Sequence, residues 1–243
     1  MSQFDATSTT DEVIAGISLE GRLALVTGAS SGLGIETTRA LAAAGAGVVM
    51  SARDQTKLAA ARDEVQAAVP GAELELLVMD LADLDSVRGA AAEAVRRFGA
   101  ISLLINNAGV MACPLMRTAQ DFEMQVGTIH VGHFLFTCLL APALLAGAPG
   151  RVINLSSGGH KFADVNFEDP NYNPRDYDQW QAYGDSKTAN ALVSVGLDAR
   201  QRHKGVRAFA VHPGVIITNL ARHLEDADCQ MLSERTPAGE ELV

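Results

Sequence analysis

Cysteine is scarce in this chain of 243 residues: Cys113, Cys138 and Cys229 stand far apart, with no Cys-x-x-Cys pair. That argues against a disulfide framework or a zinc site, implies no metal, and fits a reducing cytoplasm. Positive charge is also in short supply. Lys and Arg number 19 against 29 Asp and Glu, for a net charge of −10 and a pI near 5.0. So acidic a chain is poorly suited to nucleic acid or to an anionic membrane surface. Residues 1–11 are polar and acidic, without the basic and apolar stretches of a signal peptide. No long hydrophobic run occurs: Val131 to Leu145 is interrupted by Gly132, His133 and Pro142, and reads as a buried helix rather than a membrane span. Internal repeats and linkers rich in Pro, Gly or Ser are missing too.

What is present is apolar and regularly punctuated. Hydrophobic residues make up 48% of the chain, and the length suits one domain with a sizeable core. Residues 1–17 read as a polar tail or an extra helix. From Arg22 on, short apolar runs alternate with helical segments. The runs are Leu23–Thr27, Val48–Ser51, Leu74–Met79, Ile101–Ile105, Arg151–Leu155 and Arg207–Val211. The helices end near Ala44, span Lys57–Val69 and Leu84–Phe98, and run from about Thr118 to Ala146 and about Gln179 to His203. Near-continuous apolar strands alternating with helices predict an α/β fold, a single-domain doubly wound parallel sheet of the Rossmann type. Ligands of such sheets bind beyond the carboxyl ends of the strands.

Of four short segments that belong together, three directly follow a predicted strand, where that rule places a site; the fourth, Tyr183 with Lys187, lies in the helix reached through the insert after Ser157. Thr27-Gly28-Ala29-Ser30-Ser31-Gly32-Leu33-Gly34 follows the first strand and opens a helix. Its glycines permit a tight turn and a close backbone approach to phosphate, and the helix N-terminus offers free N–H groups. Asn106-Asn107-Ala108-Gly109 follows the fourth strand and Ser157 the fifth. Tyr183 and Lys187, four apart in a helix, share a face. An ammonium beside a phenol favours the phenolate and brings a pKa near 10 towards the working range.

In this order and spacing the segments resemble the classical short-chain dehydrogenase/reductase family, in its retinol-dehydrogenase-like branch, from about Ser18 to about Leu220. Residues 18–220 would then form the Rossmann domain. The resemblance implies hydride transfer between a nicotinamide and a carbonyl or secondary-alcohol carbon. Tyr183 would be the acid/base, Lys187 would tune it and hold the nicotinamide ribose, and Ser157, rather than Ser156, would hold the substrate oxygen. It assigns Gly28, Ser30, Ser31, Gly32, Leu33 and Gly34 to the pyrophosphate and Asp80-Leu81 to the adenine. Asn107, Ala108 and Gly109 would border the cofactor. Pro213, Gly214 and Thr218, after the sixth strand, would hold the carboxamide. At the end of the second strand Ala52 stands where NAD-binding relatives carry an acid, and Arg53 where NADP-binding relatives are basic. NADP is therefore expected over NAD, although Arg53 also reads as a solvated arginine and Asp54 as a helix cap.

The insert between Ser157 and Tyr183, roughly residues 158–181, contains His160, Phe162, Phe167, Tyr172, Tyr177 and Trp180. It reads either as an apolar substrate wall or as a surface loop with its own small core. Two departures from the family stand out. Ile129 replaces the asparagine of the central helix, which impairs the expected proton relay unless His130 or Thr128 compensates. Relatives also continue past Leu220 with a helix and a seventh strand, whereas residues 221–243 would be a lid remnant. The sixth strand is then expected at an edge, either because the chain is truncated or because a partner covers it. The expected partners are a small, apolar carbonyl or alcohol and a second copy of the chain, in a homodimer or homotetramer. A catalytically weak NADP-binding protein with a sensing or pairing role is the alternative from another class.

Overall fold

The computed structural model describes residues 4, 5, 7–214, 216, 218–222, 224 and 228. Six parallel strands lie in the order β3-β2-β1-β4-β5-β6. They are β1 (Leu23–Thr27), β2 (Gly47–Ala52), β3 (Leu74–Val78), β4 (Leu103–Asn106), β5 (Gly150–Leu155) and β6 (Val206–Val211). The order reverses between β1 and β4, whose residues pair Ala24 with Leu103 and Val26 with Ile105. A ligand crevice belongs at the carboxyl end of that switch point. Cys229 and most of 221–243, including the expected lid remnant, lie outside the described residues. Within those described, β6 is one edge strand and β3 the other.

Strand alternation divides the core. Ala24 and Val26 of β1 pack with Val48 and Met50 under α2 (Leu33–Ala43) and α3 (Gln55–Ala68). Leu25 points to the opposite face, with Val49, Leu77 and Leu104, under α4 (Leu84–Phe98), α5 (His133–Leu139) and α6 (Ala141–Ala146). The small residues Ala90, Ala91 and Ala94 let α4 lie close on the sheet, where each is buried. Part of the N-terminal segment is helical. α1 (Thr10–Ile14) carries a Thr9–Glu12 capping box and is tied to α2 by Arg39–Asp11 at 2.8 Å.

The expected long helix from Thr118 is the main correction. Thr118 N–H bonds the Phe122 carbonyl at 2.9 Å, Asp121 adopts φ 63°, and Arg117 bridges Glu123. This turn delays the helix, which then winds as a π-helix over Val126–Gly132 before α5 begins.

Candidate active site

One cleft of about 1020 Å³ opens at the carboxyl end of the sheet, and every sequence-predicted site residue except Gly34 lines it. Gly34 lies just beneath, where a Cβ would overlap the Gly28 carbonyl oxygen. A Cβ on Gly28 would stand 2.8 Å from the Ala108 Cα, and Gly28 itself has φ +68°. The turn is therefore closed to larger residues on both counts. Side chains cap the neighbouring helices: Asp54 caps α3 and Asp83 caps α4. The N-cap of α2 is Gly32, which offers no side-chain cap, so the first N–H groups of the helix are left for the cleft.

At the far end of the turn, Arg53 borders the cleft, and so does Lys57, one turn into α3. Both are exposed cations on a mainly acidic chain. Asp54 is an N-cap, as one reading of the sequence expected, accepting from Lys57 N–H at 3.0 Å. That role leaves Arg53 free to face the cleft. Lys57 escaped the sequence reading because a lysine on an amphipathic helix looks like any solvated surface residue. Asp80 uses one carboxylate oxygen to accept from Ala82 N–H at 2.9 Å. Leu81 is buried against Gly132, where a Cβ would stand 2.6 Å from the Leu81 carbonyl oxygen.

The central turn is built on buried polar bonds. Asn106 donates to Asn154 Oδ1 at 2.8 Å and to Thr137 Oγ1 at 2.9 Å, joining β4 to β5 and α5. Asn107 donates from its side chain to the Thr27 carbonyl at 2.8 Å. The backbone N–H groups of Asn107 and Ala108 both donate to Thr27 Oγ1, each at 3.0 Å.

Three groups meet at the other end of the cleft. α7 (Gln179–Gln201) starts at the Asp178 cap and buries Tyr183, Lys187, Asn190 and Ser194, spaced to share one helix face. Ser157 Oγ hydrogen-bonds the Tyr183 phenol, which lowers the phenol pKa, but burial outweighs this and holds it above the ordinary value. Gly159 makes room for the phenol ring, since a Cβ there would lie 2.8 Å from it. Ser156 turns away and donates to the Lys187 carbonyl at 3.1 Å. Lys187 Nζ lies 5.5 Å from the centre of the Tyr183 ring and donates to the Leu155 carbonyl at 2.9 Å. Complete burial lowers its pKa to about 8.

The insert does both things the sequence allowed. Phe162 and Trp180 face the cleft, edge to face at 5.9 Å, and Trp180 stands edge-on to Tyr183 at 6.4 Å. Phe167 is exposed. Tyr172 and Tyr177 turn inward to a polar core. The Tyr177 hydroxyl donates to the Cys113 carbonyl at 2.8 Å and accepts from Gln125 at 3.0 Å. The Tyr172 hydroxyl donates to Asp185 at 3.0 Å, Arg175 pairs with the same carboxylate oxygen at 2.6 Å, and the guanidinium lies 3.5 Å over the Tyr172 ring. Tyr172 holds φ 54°, an uncommon conformation for a bulky residue that these contacts enforce.

With this geometry in view, a family model described as short chain dehydrogenase matches residues 22–228. The chain belongs to this family. Curated short-chain dehydrogenases similar to it include human retinol dehydrogenase 13, 40% identical over 84% of this chain and 62% of its own length. Mouse retinol dehydrogenase 11 is 41% identical over 85% of this chain and 65% of its own. The chain thus spans somewhat under two thirds of those relatives. Among solved structures, a gluconate 5-dehydrogenase from Burkholderia cenocepacia in complex with NADP and tartrate aligns with a TM-score of 0.72. It is 29% identical and covers 92% of this chain and 83% of that one.

For a short-chain dehydrogenase, position 129 is where this chain was expected to lose a polar group, and Ile129 is fully buried. The helix nevertheless leaves α geometry there, with Ile129 in the middle of the π-helical segment. Both residues named as candidates for compensation have partners of their own. Thr128 Oγ1 contacts Met124 Sδ at 3.5 Å. His130 bonds Asn190, whose Nδ2 reaches the Leu155 carbonyl at 3.4 Å beside Lys187. Among the described residues, no helix is long and apolar enough to cross a membrane, and no cluster of His, Cys, Asp or Glu could hold a metal.

Proposed function

We propose that the chain is an NADP(H)-dependent oxidoreductase acting on an apolar alcohol or its carbonyl partner, of the retinol-like character its relatives' names suggest. The observation that carries this reading is that Ser157, Tyr183 and Lys187 open onto the same cleft as the uncapped start of α2 and the Gly28–Gly34 turn. The residues present fit a dinucleotide: the turn is a cradle that a Cβ would fill, and the helix N-terminus suits pyrophosphate. When bound, the nicotinamide supplies or takes the hydride.

The residues of the chain do the rest. Arg53 and Lys57 suit the negative charge of a ribose 2′-phosphate, for which a guanidinium is well shaped. Thr218, whose Cβ would stand 3.3 Å from a Cβ on Gly32, lines the cleft with Pro213 and Gly214, and in this reading the three hold the carboxamide. Ser157 donates to the substrate oxygen, Tyr183 gives or takes the proton there, and the Lys187 ammonium favours the charge that develops. Phe162 and Trp180 supply an apolar wall and help to exclude water.

The test is titration with NADPH and with NADH, followed by nicotinamide fluorescence, and then turnover of retinaldehyde and smaller aldehydes. NADPH is expected to bind more tightly. Arg53→Glu is expected to weaken NADPH by roughly tenfold or more and leave NADH nearly unchanged. Equal loss for both cofactors would mean that Arg53 does not read the 2′-phosphate. Gly34→Ala is expected to abolish binding of both while the rest of the sheet stays folded by circular dichroism. Retained binding would show that the turn is not the phosphate cradle.

A further inference from the structure

A buried histidine that the proposed chemistry does not use lies between the glycine turn and the π-helical segment. His133 is 2% exposed. Its Nε2 lies 2.8 Å from Thr27 Oγ1, and its Nδ1 lies 2.9 Å from the Ile129 carbonyl oxygen. Hydrogen-bond counting settles which nitrogen carries the proton. A threonine hydroxyl has two lone pairs and one proton. Here the Asn107 and Ala108 N–H groups, each at 3.0 Å, use both lone pairs. The hydroxyl proton must therefore be donated, and the Ile105 carbonyl at 3.4 Å is a much longer option than His133 Nε2. Nε2 is thus an acceptor, the ring proton is on Nδ1, and Nδ1–H donates to Ile129. A cationic ring would aim an N–H at a hydroxyl with no lone pair free.

We propose that His133 is a positioning residue for the cofactor: a neutral imidazole, fixed as the Nδ1–H tautomer, that fastens the Thr27–Asn107–Ala108 corner to the π-helical segment. This rests on the dinucleotide reading of the cleft. The corner must be held, because Ala108 sits so close to Gly28 that any shift in it is passed to the phosphate turn. The other nitrogen grips the Ile129 carbonyl, so the break from α geometry is kept at a position with no polar side chain of its own. Burial agrees with the neutral form and lowers the His133 pKa to about 4; the bond to the Ile129 carbonyl works against this, and a positive charge on Lys187 or His130 would push it further down.

A double-mutant cycle on the full chain tests the coupling. Thr27→Val and His133→Phe are each expected to raise the NADPH dissociation constant about tenfold, because each leaves buried partners unpaired. The double variant is expected to be no worse than the weaker single one. Multiplying losses, or unchanged affinity in His133→Phe, would overturn the proposal. Should His133→Phe fail to fold, nitrogen NMR of the wild-type imidazole decides instead. A protonated Nδ1 and bare Nε2 that persist as the pH falls through 6.5, the ordinary histidine value, support it; the opposite tautomer or a cation overturns it. A wild-type chain that binds neither NADPH nor NADH would sink the dinucleotide reading, and the cofactor role with it, on a measurement separate from the tautomer.

Discussion

Tyr183→Phe is expected to lower kcat by roughly 10²–10⁴-fold, the usual worth of a positioned acid/base, while NADPH still binds. The substitution removes one oxygen from a ring that is otherwise held by packing. Trp180 stands edge-on to it, Gly159 lies under it and Lys187 lies beyond its face. Within the fold, that oxygen's bond to Ser157 is the one lost, and the proposed phosphate turn at Gly28–Gly34 lies at the other end of the cleft. The proposed chemistry depends on the phenol oxygen, because a carbonyl oxygen would have to receive a proton as hydride arrives. Burial holds the phenol pKa above its ordinary value, so the group is protonated at neutral pH and ready for reduction. Alcohol oxidation needs the phenolate and should speed up as the pH rises. Single-turnover measurements with NADPH and an aldehyde, set beside binding titrations, separate these effects. Retained turnover in Tyr183→Phe would show that another group handles the proton.

Lys187→Met is expected to give a more stable and nearly inactive protein. The ordinary lysine value is 10.5, and burial lowers it to about 8 in the folded chain. Between those values the unfolded chain holds a proton that the folded chain has released. Stability therefore rises with pH across this window, and below about pH 8 the full cost of the buried ammonium is felt. A shift of that size is about 3 kcal/mol, partly offset by the hydrogen bond to Leu155, worth about 1 kcal/mol. Methionine, similar in length and uncharged, removes most of the cost. Urea unfolding at neutral pH should show a higher midpoint for Lys187→Met, with the gain shrinking as the wild type is titrated through the window. Turnover should fall about a hundredfold or more with the ammonium gone, and carbonyl reduction by the wild type should decline above about pH 8. A less stable Lys187→Met would mean that the lysine is held by more than the Leu155 carbonyl.

The sheet could be read from the sequence because its signal is local. All six strands begin and end within about two residues of their apolar runs, a spread usual for strand ends. The central helix could not be bounded in that way. Its start is decided by contacts with distant residues: Glu123 is buried against Tyr177, and its backbone N–H bonds the Asn171 side chain. The same holds within the cleft. Glycine turns announce themselves by composition, and Tyr183 with Lys187 by spacing. The choice of Ser157 over Ser156 came from the family pattern, and only the geometry gives it a cause: one hydroxyl faces Tyr183 while the other bonds the helix backbone. Lys57 and His133 were not legible, because a surface lysine and a helical histidine carry no pattern until the chain brings their partners to them.

The Arg175–Asp185–Tyr172 cluster has a consequence for engineering. Asp185 lies on α7 between Tyr183 and Lys187, so the insert is bolted to the same rod that carries the proposed proton donor. It cannot be exchanged as a free flap. A graft from another short-chain dehydrogenase would have to bring both halves of the bolt, or leave a carboxylate stranded beside Tyr183 and Lys187. Changes of substrate range are better sought at Phe162 and Trp180, which face the cleft and lie outside that bolt.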